Sequence, residues 1–266
     1  MIKELYKELY EHCSRVPDFC FAGTEADNPY AHFVAIRGEG FDSNTKRLML
    51  VGRATNGWGS LDSSTAEAFS ESANEQFMSQ SRWNWVEEVN GVLYSGHDED
   101  KSNFANRYCL DRSAFWAYAK DIWAQLPGSV SDVGPVWMKN IAWSNLYKVS
   151  PKKSGNPSNK MLSLQTSVCA DILVSEIRLF NPTHILFMTG YDWFSPFETH
   201  FSRCTRRGKN YLRGNRKNDV YVEETAWFDT IPVVVSCRPE FRDKQRFVKD
   251  IVEAFKDLSM SNERRT

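Results

Sequence analysis

The chain has 266 residues, with 33 Lys and Arg against 34 Asp and Glu, and a formal charge of −1 at pH 7. That length suits one large α/β domain, or two small ones, with a sizeable core, and so balanced a charge does not by itself call for a polyanionic partner. The six Cys are scattered without a CxxC pair and the five His lack metal-ligand spacing. An iron–sulfur or structural zinc site normally shows closer pairs, so we expect reduced thiols, no metal, no cofactor and a cytoplasmic protein.

Residues 2–13 place Ile2, Leu5, Tyr6, Leu9 and Cys13 on one stripe, predicting an amphipathic helix packed on the core. With its acidic residues this start does not resemble a signal peptide, and no apolar run downstream approaches the length of a membrane span. Residues 14–29 read as loop and 31–37 as a first strand, followed by a turn at Gly38 and Gly40.

The stretch LMLVGRATNGWG, residues 48–59, then carries four apolar residues into Gly52. Such a run is what a parallel strand covered on both faces needs. The turn after it holds Arg53, Thr55, Asn56 and Trp58, at the carboxyl end of a strand, which is where open α/β sheets bind ligands.

Residues 59–81 are rich in Ser, Ala and Glu and read as a long loop with one short helix; 82–94 read as helical and 95–107 as loop. Together, 62–110 has the character of an insertion or lid over the turn. Residues 111–126 predict a strong helix, capped by Asp111, with Phe115, Tyr118, Ala119, Ile122 and Trp123 on its core face. A strand follows over 141–147, and inside it Asn145 is a polar residue among apolar and aromatic ones. A buried amide is costly without a partner, so Asn145 is either a satisfied structural residue or an amide aimed into a pocket.

Residues 162–180 predict a long helix stopped by Asn181-Pro182, and 185–190 (ILFMTG) a second apolar strand ending at a glycine, Gly190. Residues 191–202 begin another helix broken by Pro196. Residues 203–217 hold seven Lys or Arg and no acid. With Tyr211 among them, Arg206, Arg207, Lys209, Arg213 and Arg216 form a candidate phosphate-contacting loop, or simply a solvated one. Residues 231–242 give a last buried strand and a polar turn with Arg238, Pro239 and Glu240. A C-terminal helix with Phe247, Val248, Ile251, Val252 and Phe255 on one face follows, and the tail 259–266 is expected to fray.

Strands alternating with helices predict one domain over 1–266, a three-layer α/β/α sandwich around a mainly parallel four-stranded sheet. The turns at 52–57, 190–193 and 237–241 then gather at one edge with Asn145. The nine Trp are read mostly as core, with base or sugar stacking as the alternative.

Four of these segments, in this order, resemble motifs of the uracil-DNA glycosylase superfamily. LMLVGRATNG looks like the first motif, whose turn carries the water-activating or substrate-contacting residue. NIAWSNLYKVSP looks like the strand bearing the base-reading Asn, here Asn145. NPTHILFMTG looks like the helix–Pro–strand–Gly segment, and VVVSCRPEF looks like the final motif, whose His-Pro-Ser turn holds the catalytic His and wedges the DNA strand. The chain departs from the pattern. Arg53, Ala54 and Thr55 stand where the family has Asp, Asn or Glu, and Asn56 is the nearest polar substitute. Arg238 stands in place of the His, and the nearest acids in the turns are Asp192 and Glu240.

The resemblance implies a protein that recognises a nucleobase or nucleic acid, with Gly52, Arg53, Thr55, Trp58, Asn145 and Gly190 around the base. It extends to N-glycosidic hydrolysis if Asn56 holds water and Arg238 takes the charge developing on the leaving base. The alternative is a non-catalytic binder in which Arg53 and Arg238 make a cationic pocket for a nucleotide or nucleic-acid end. An unrelated doubly wound enzyme binding a phosphorylated small molecule at the Gly52 turn fits less well, since GxGxxG and the P-loop Lys-Ser/Thr are absent.

Overall fold

The structure is a computed structural model that describes residues 1–16, 30–54, 65–79, 86–89, 92–95, 109–126, 137–151, 155–205 and 221–263. Its centre is four parallel strands: β3 (Leu48–Gly52), β6 (Ile141–Asn145), β8 (His184–Phe187) and β11 (Ile231–Ser236). These are the four strands read from the sequence, but the sheet is larger than the four expected. Antiparallel β2 (Ile36–Arg37) extends it beyond β6, and antiparallel β10 (Val222–Phe228) and β9 (Ser202–Thr205) extend it beyond β11, giving seven strands in the order β2-β6-β3-β8-β11-β10-β9.

Helices cover both faces. On one, α1 (Ile2–Cys13), α2 (Ala66–Met78) and α4 (Asn159–Phe180) pack on Met49, Val51, Ala142, Ile185 and Val233. On the other, α3 (Ala114–Gln125) and α5 (Lys244–Glu263) pack on Leu48, Leu50, Ile141, Leu186 and Val234. Consecutive residues of each central strand thus enter opposite cores, so the whole run must be apolar. The chain leaves β3 for β6 on one side and then crosses back, through α4, to β8 on the other. The strand order therefore reverses at β3, and the crevice at its carboxyl end is a topological switch point.

Several local readings change. The span expected to be helical over 82–94 instead contains β4 (Val86–Val89) paired antiparallel with β5 (Val92–Ser95). Asn90-Gly91 between them is the pair most favoured in two-residue hairpin connections, which outweighs the helical spacing. The expected first strand is two: β1 (Tyr30–His32) pairs with β7 (Val149–Pro151) in a separate ribbon, and only β2 joins the main sheet. Asp111 lies in a short 3-10 turn, Leu110–Arg112, and Ser113 occupies the N-cap position of α3. At the C-terminus the helix persists to Glu263, into the span expected to fray. The short helix expected within 59–81 is α2, which buries Phe69, Ala73 and Phe77 against the core beside α1. Cys13, Cys109 and Cys169 are free thiols.

Candidate functional site

Three backbone hydrogen bonds tie the carboxyl ends of the central strands together. Leu146 N–H donates to Gly52 C=O at 2.8 Å, Met188 N–H to Val51 C=O at 3.0 Å, and Gly190 N–H to Ser236 C=O at 2.8 Å. Past these ties the chain opens into a cleft of about 310 Å³ whose lining includes Gly52, Arg53, Asn145 and Arg238. Four of the residues singled out in the sequence, spread over almost the whole chain, thus meet in one place.

Asn145 is the last residue of β6 and only 2 % exposed, and among the described residues its Nδ2 has no hydrogen-bond partner. Gly52 stands directly opposite in the β3–β6 ladder. A Cβ on Gly52 would lie 2.4 Å from Asn145 Oδ1, so glycine is required here for space, to let the amide lie against the neighbouring strand. Trp143, two residues earlier on the same face, joins Phe115 and Trp116 from α3 as the aromatic wall. The Trp116 and Trp143 rings meet edge to face at 4.9 Å, the arrangement aromatic quadrupoles favour.

Arg53 continues from β3. Its Nε donates to the Thr189 carbonyl at 2.5 Å, and its guanidinium lies 5.0 Å from the centre of the Trp193 ring. Burial, and then the charge of Arg238, push its pKa down to about 10, so it stays cationic at neutral pH. Gly190 does not line the cleft among the described residues. With φ of +81°, its absent Cβ would lie 3.2 Å from Arg53 Nη2, and its role is to support the guanidinium. Beside it, Glu223 accepts from the Tyr191 backbone N–H, and burial raises its pKa.

Arg238 is not free. Its Nε donates to Glu240 Oε2 at 2.9 Å and its Nη2 pairs with Oε1, a two-pronged fork that neutralises both groups. The next residue, Phe241, is fully exposed and sits at φ +62°. The turn around it is closed by Arg242 N–H donating to Pro239 C=O at 3.2 Å and pinned by Tyr118 Oη donating to Arg242 C=O at 2.7 Å. A bulky side chain in the left-handed region costs about 1–2 kcal/mol, and none of that is recovered by burying the ring.

Thr55, Asn56 and Trp58, and the basic residues Arg206, Arg207, Lys209, Arg213 and Arg216, lie outside the described residues. Sequence reasoning passed over Trp143, Phe115, Trp116 and Phe241. Period-two spacing from Asn145 was a usable signal for Trp143, whereas Phe115 was absorbed into the core face of its helix. No helix of the described residues is long and apolar enough to cross a membrane, and no group of three or more His, Cys, Asp or Glu among them could hold a metal ion. A scan against protein-family models finds no match to this chain, and neither does a search of curated proteins.

Proposed function

We propose that the protein recognises a nucleobase in the cleft at the carboxyl ends of β3 and β6, as a divergent relative of the uracil-DNA glycosylase superfamily. The observation that carries the reading is Asn145: an almost wholly buried amide donor left without a partner in a ligand-sized cleft. An unpaired buried donor costs about 1–3 kcal/mol, and a ring carbonyl entering the cleft relieves that cost. The aromatic wall of Phe115, Trp116 and Trp143 suits the apolar faces of such a ring. A base in a nucleic-acid strand reaches the cleft only when turned out of that strand, and Phe241, exposed next to the cleft residue Glu240 and held under backbone strain, suits a group that fills the gap left behind.

The charges favour binding over a strongly cationic pocket, because Arg238 is already matched by Glu240. Hydrolysis of an N-glycosidic bond is the second reading, favoured by the presence of both an acid, Glu240, and a cation, Arg238, in the same cleft. In it the carboxylate takes a proton from water as the water oxygen bonds to the anomeric carbon. The C–N bond breaks, and Arg238 stabilises the departing base anion.

The test is cleavage and binding of single- and double-stranded oligonucleotides carrying deoxyuridine and other altered bases, with Asn145→Ala and Arg238→Ala beside the wild type. Binding that depends on the base and is lost in Asn145→Ala supports recognition. Cleavage lost in both variants adds hydrolysis. Base-independent binding, or none, refutes the reading.

A further inference from the structure

Behind the cleft, on the opposite face of β6, lies a polar cluster that no ligand in the cleft would touch. Ser144, Lys148 and Glu176 are all wholly buried, and Glu176 projects from the C-terminal part of α4 among the core residues Ile172, Leu173 and Ile177. Lys148 Nζ lies 2.8 Å from Glu176 Oε1 and donates to Oε2 at 2.9 Å. It also donates to Ser144 Oγ at 2.7 Å and to the main-chain carbonyl of Asn145 at 2.8 Å. Ser144 Oγ donates in turn to Glu176 Oε2 at 2.6 Å. An ammonium has three protons to give, and here one goes to the carboxylate, one to the neighbouring hydroxyl and one to the backbone of Asn145.

We propose that Lys148 and Glu176 are positioning residues for Asn145. A buried ion pair is a poor device for stability alone, since a well-packed apolar pair of similar volume does as well or better. What this pair does that an apolar pair cannot is hold one carbonyl. Fixing the Asn145 carbonyl fixes its peptide plane. Because Ser144 faces the cluster, strand alternation sends the Asn145 side chain to the other face, into the cleft. Gly52 leaves room for the amide from the front, and Lys148 holds its backbone from behind. Leu146 N–H on Gly52 C=O and Tyr147 N–H on Arg53 C=O, at 2.8 and 2.9 Å, bind the following residues to the same neighbouring strand. The Asn145 carbonyl is thus the point at which the cluster reaches into this frame.

The functional consequence rests on Asn145 as the base-contacting group; the positioning does not. The experiment therefore reads the two separately. In the Lys148→Met/Glu176→Leu double variant both charges go together, so no lone buried charge remains. Three quantities are compared with wild type: the urea midpoint, the side-chain NH₂ resonances of Asn145 (assigned by their loss in Asn145→Ala), and affinity for a deoxyuridine-containing oligonucleotide. We expect a midpoint close to wild type, displaced or broadened Asn145 resonances, and affinity lower by about tenfold or more, as for a contact group moved by a fraction of an ångström. Unmoved resonances and unchanged affinity in the folded variant overturn the proposal. If wild type binds no oligonucleotide, the base-recognition reading fails and the resonances alone decide positioning. Should the double variant unfold, Lys148→Met alone, which removes the donor to the Asn145 carbonyl, is measured in the same way. Asn145 resonances unmoved in that variant also overturn it.

Discussion

Gly52→Ala isolates the geometry of the site with a single methyl group. Gly52 is a strand residue without a positive φ, so alanine fits its backbone and reduces the freedom of the unfolded chain, a gain of about 0.4–1 kcal/mol. Against this, the new Cβ meets Asn145 Oδ1 at 2.4 Å, while Asn145 Cγ at 3.6 Å and Phe115 Cε2 at 3.7 Å remain in ordinary contact. Only the amide oxygen has to yield, and by at least 0.6 Å, since carbon atoms in this position essentially never come closer than 3.0 Å. Overpacking of this kind costs about 1–3 kcal/mol, so the net destabilisation is about 0–2.6 kcal/mol and the protein stays folded. A recognition group displaced by that much loses about ten- to a hundredfold in binding. Urea denaturation gives the first number. Fluorescence anisotropy of a labelled oligonucleotide that the wild type binds gives the second. Gly52→Ala binding as tightly as wild type, while Asn145→Ala does not bind, would refute the claim that the amide must lie against β3.

Three further outcomes follow from the same structure. Lys46 is wholly buried, its Nζ donates to the Trp123 carbonyl at 2.9 Å, and burial lowers its pKa from 10.5 to about 8. Between those values the unfolded chain holds more protons, so this group makes stability rise with pH across the window, and below pH 8 its full penalty applies. Lys46→Met should be about 1–3 kcal/mol more stable than wild type at pH 7, with the difference shrinking from pH 8 to 10 in thermal melts. Glu240→Gln removes the carboxylate that forks onto Arg238. Oligonucleotide binding should tighten at low salt, the slope of log affinity against log salt should steepen by about one, and any hydrolysis should be lost. Phe241→Gly trades about 1 kcal/mol of left-handed strain against a similar loss of backbone entropy. The melting temperature should hardly move, whereas binding should weaken by about 1–3 kcal/mol if the ring stacks on nucleic acid.

The central strands were legible because a strand buried on both faces can only be written as an unbroken apolar run, and 48–51, 185–187 and 233–235 are such runs. Asn145 was legible for the converse reason: a polar residue amid such a run needs an explanation. At the edges of the sheet, β2 falls inside the strand read over 31–37, but β9 and β10 were not legible. β10 carries Glu223, Glu224 and Thr225 within its seven residues, and β9 is only four residues long, so their apolar pattern is too short or too mixed to stand out. The Lys148–Glu176 pair was equally hidden, because the two are 28 residues apart. Each looks like an ordinary surface charge until α4 packs on the sheet.

The charges around the cleft bear on what it does more than any single residue there. Arg53 stays cationic, but it is committed to the Thr189 carbonyl and the Trp193 face. Arg238 is committed to Glu240. Neither guanidinium stands as a free anion site, whereas the Asn145 amide donor, almost wholly buried in the cleft lining, has no partner among the described residues. A ligand recognised first by its charge would meet arginines already engaged. A neutral ring with a carbonyl meets a buried donor that has no partner among the described residues, and only a ligand bringing its own anion, such as the phosphate beside a base, would compete with Glu240 for Arg238 and free that carboxylate. Recognition of the base and activation of the acid would then be successive consequences of one binding event. The binding-only and hydrolytic readings differ in whether that exchange of partners at Arg238 takes place.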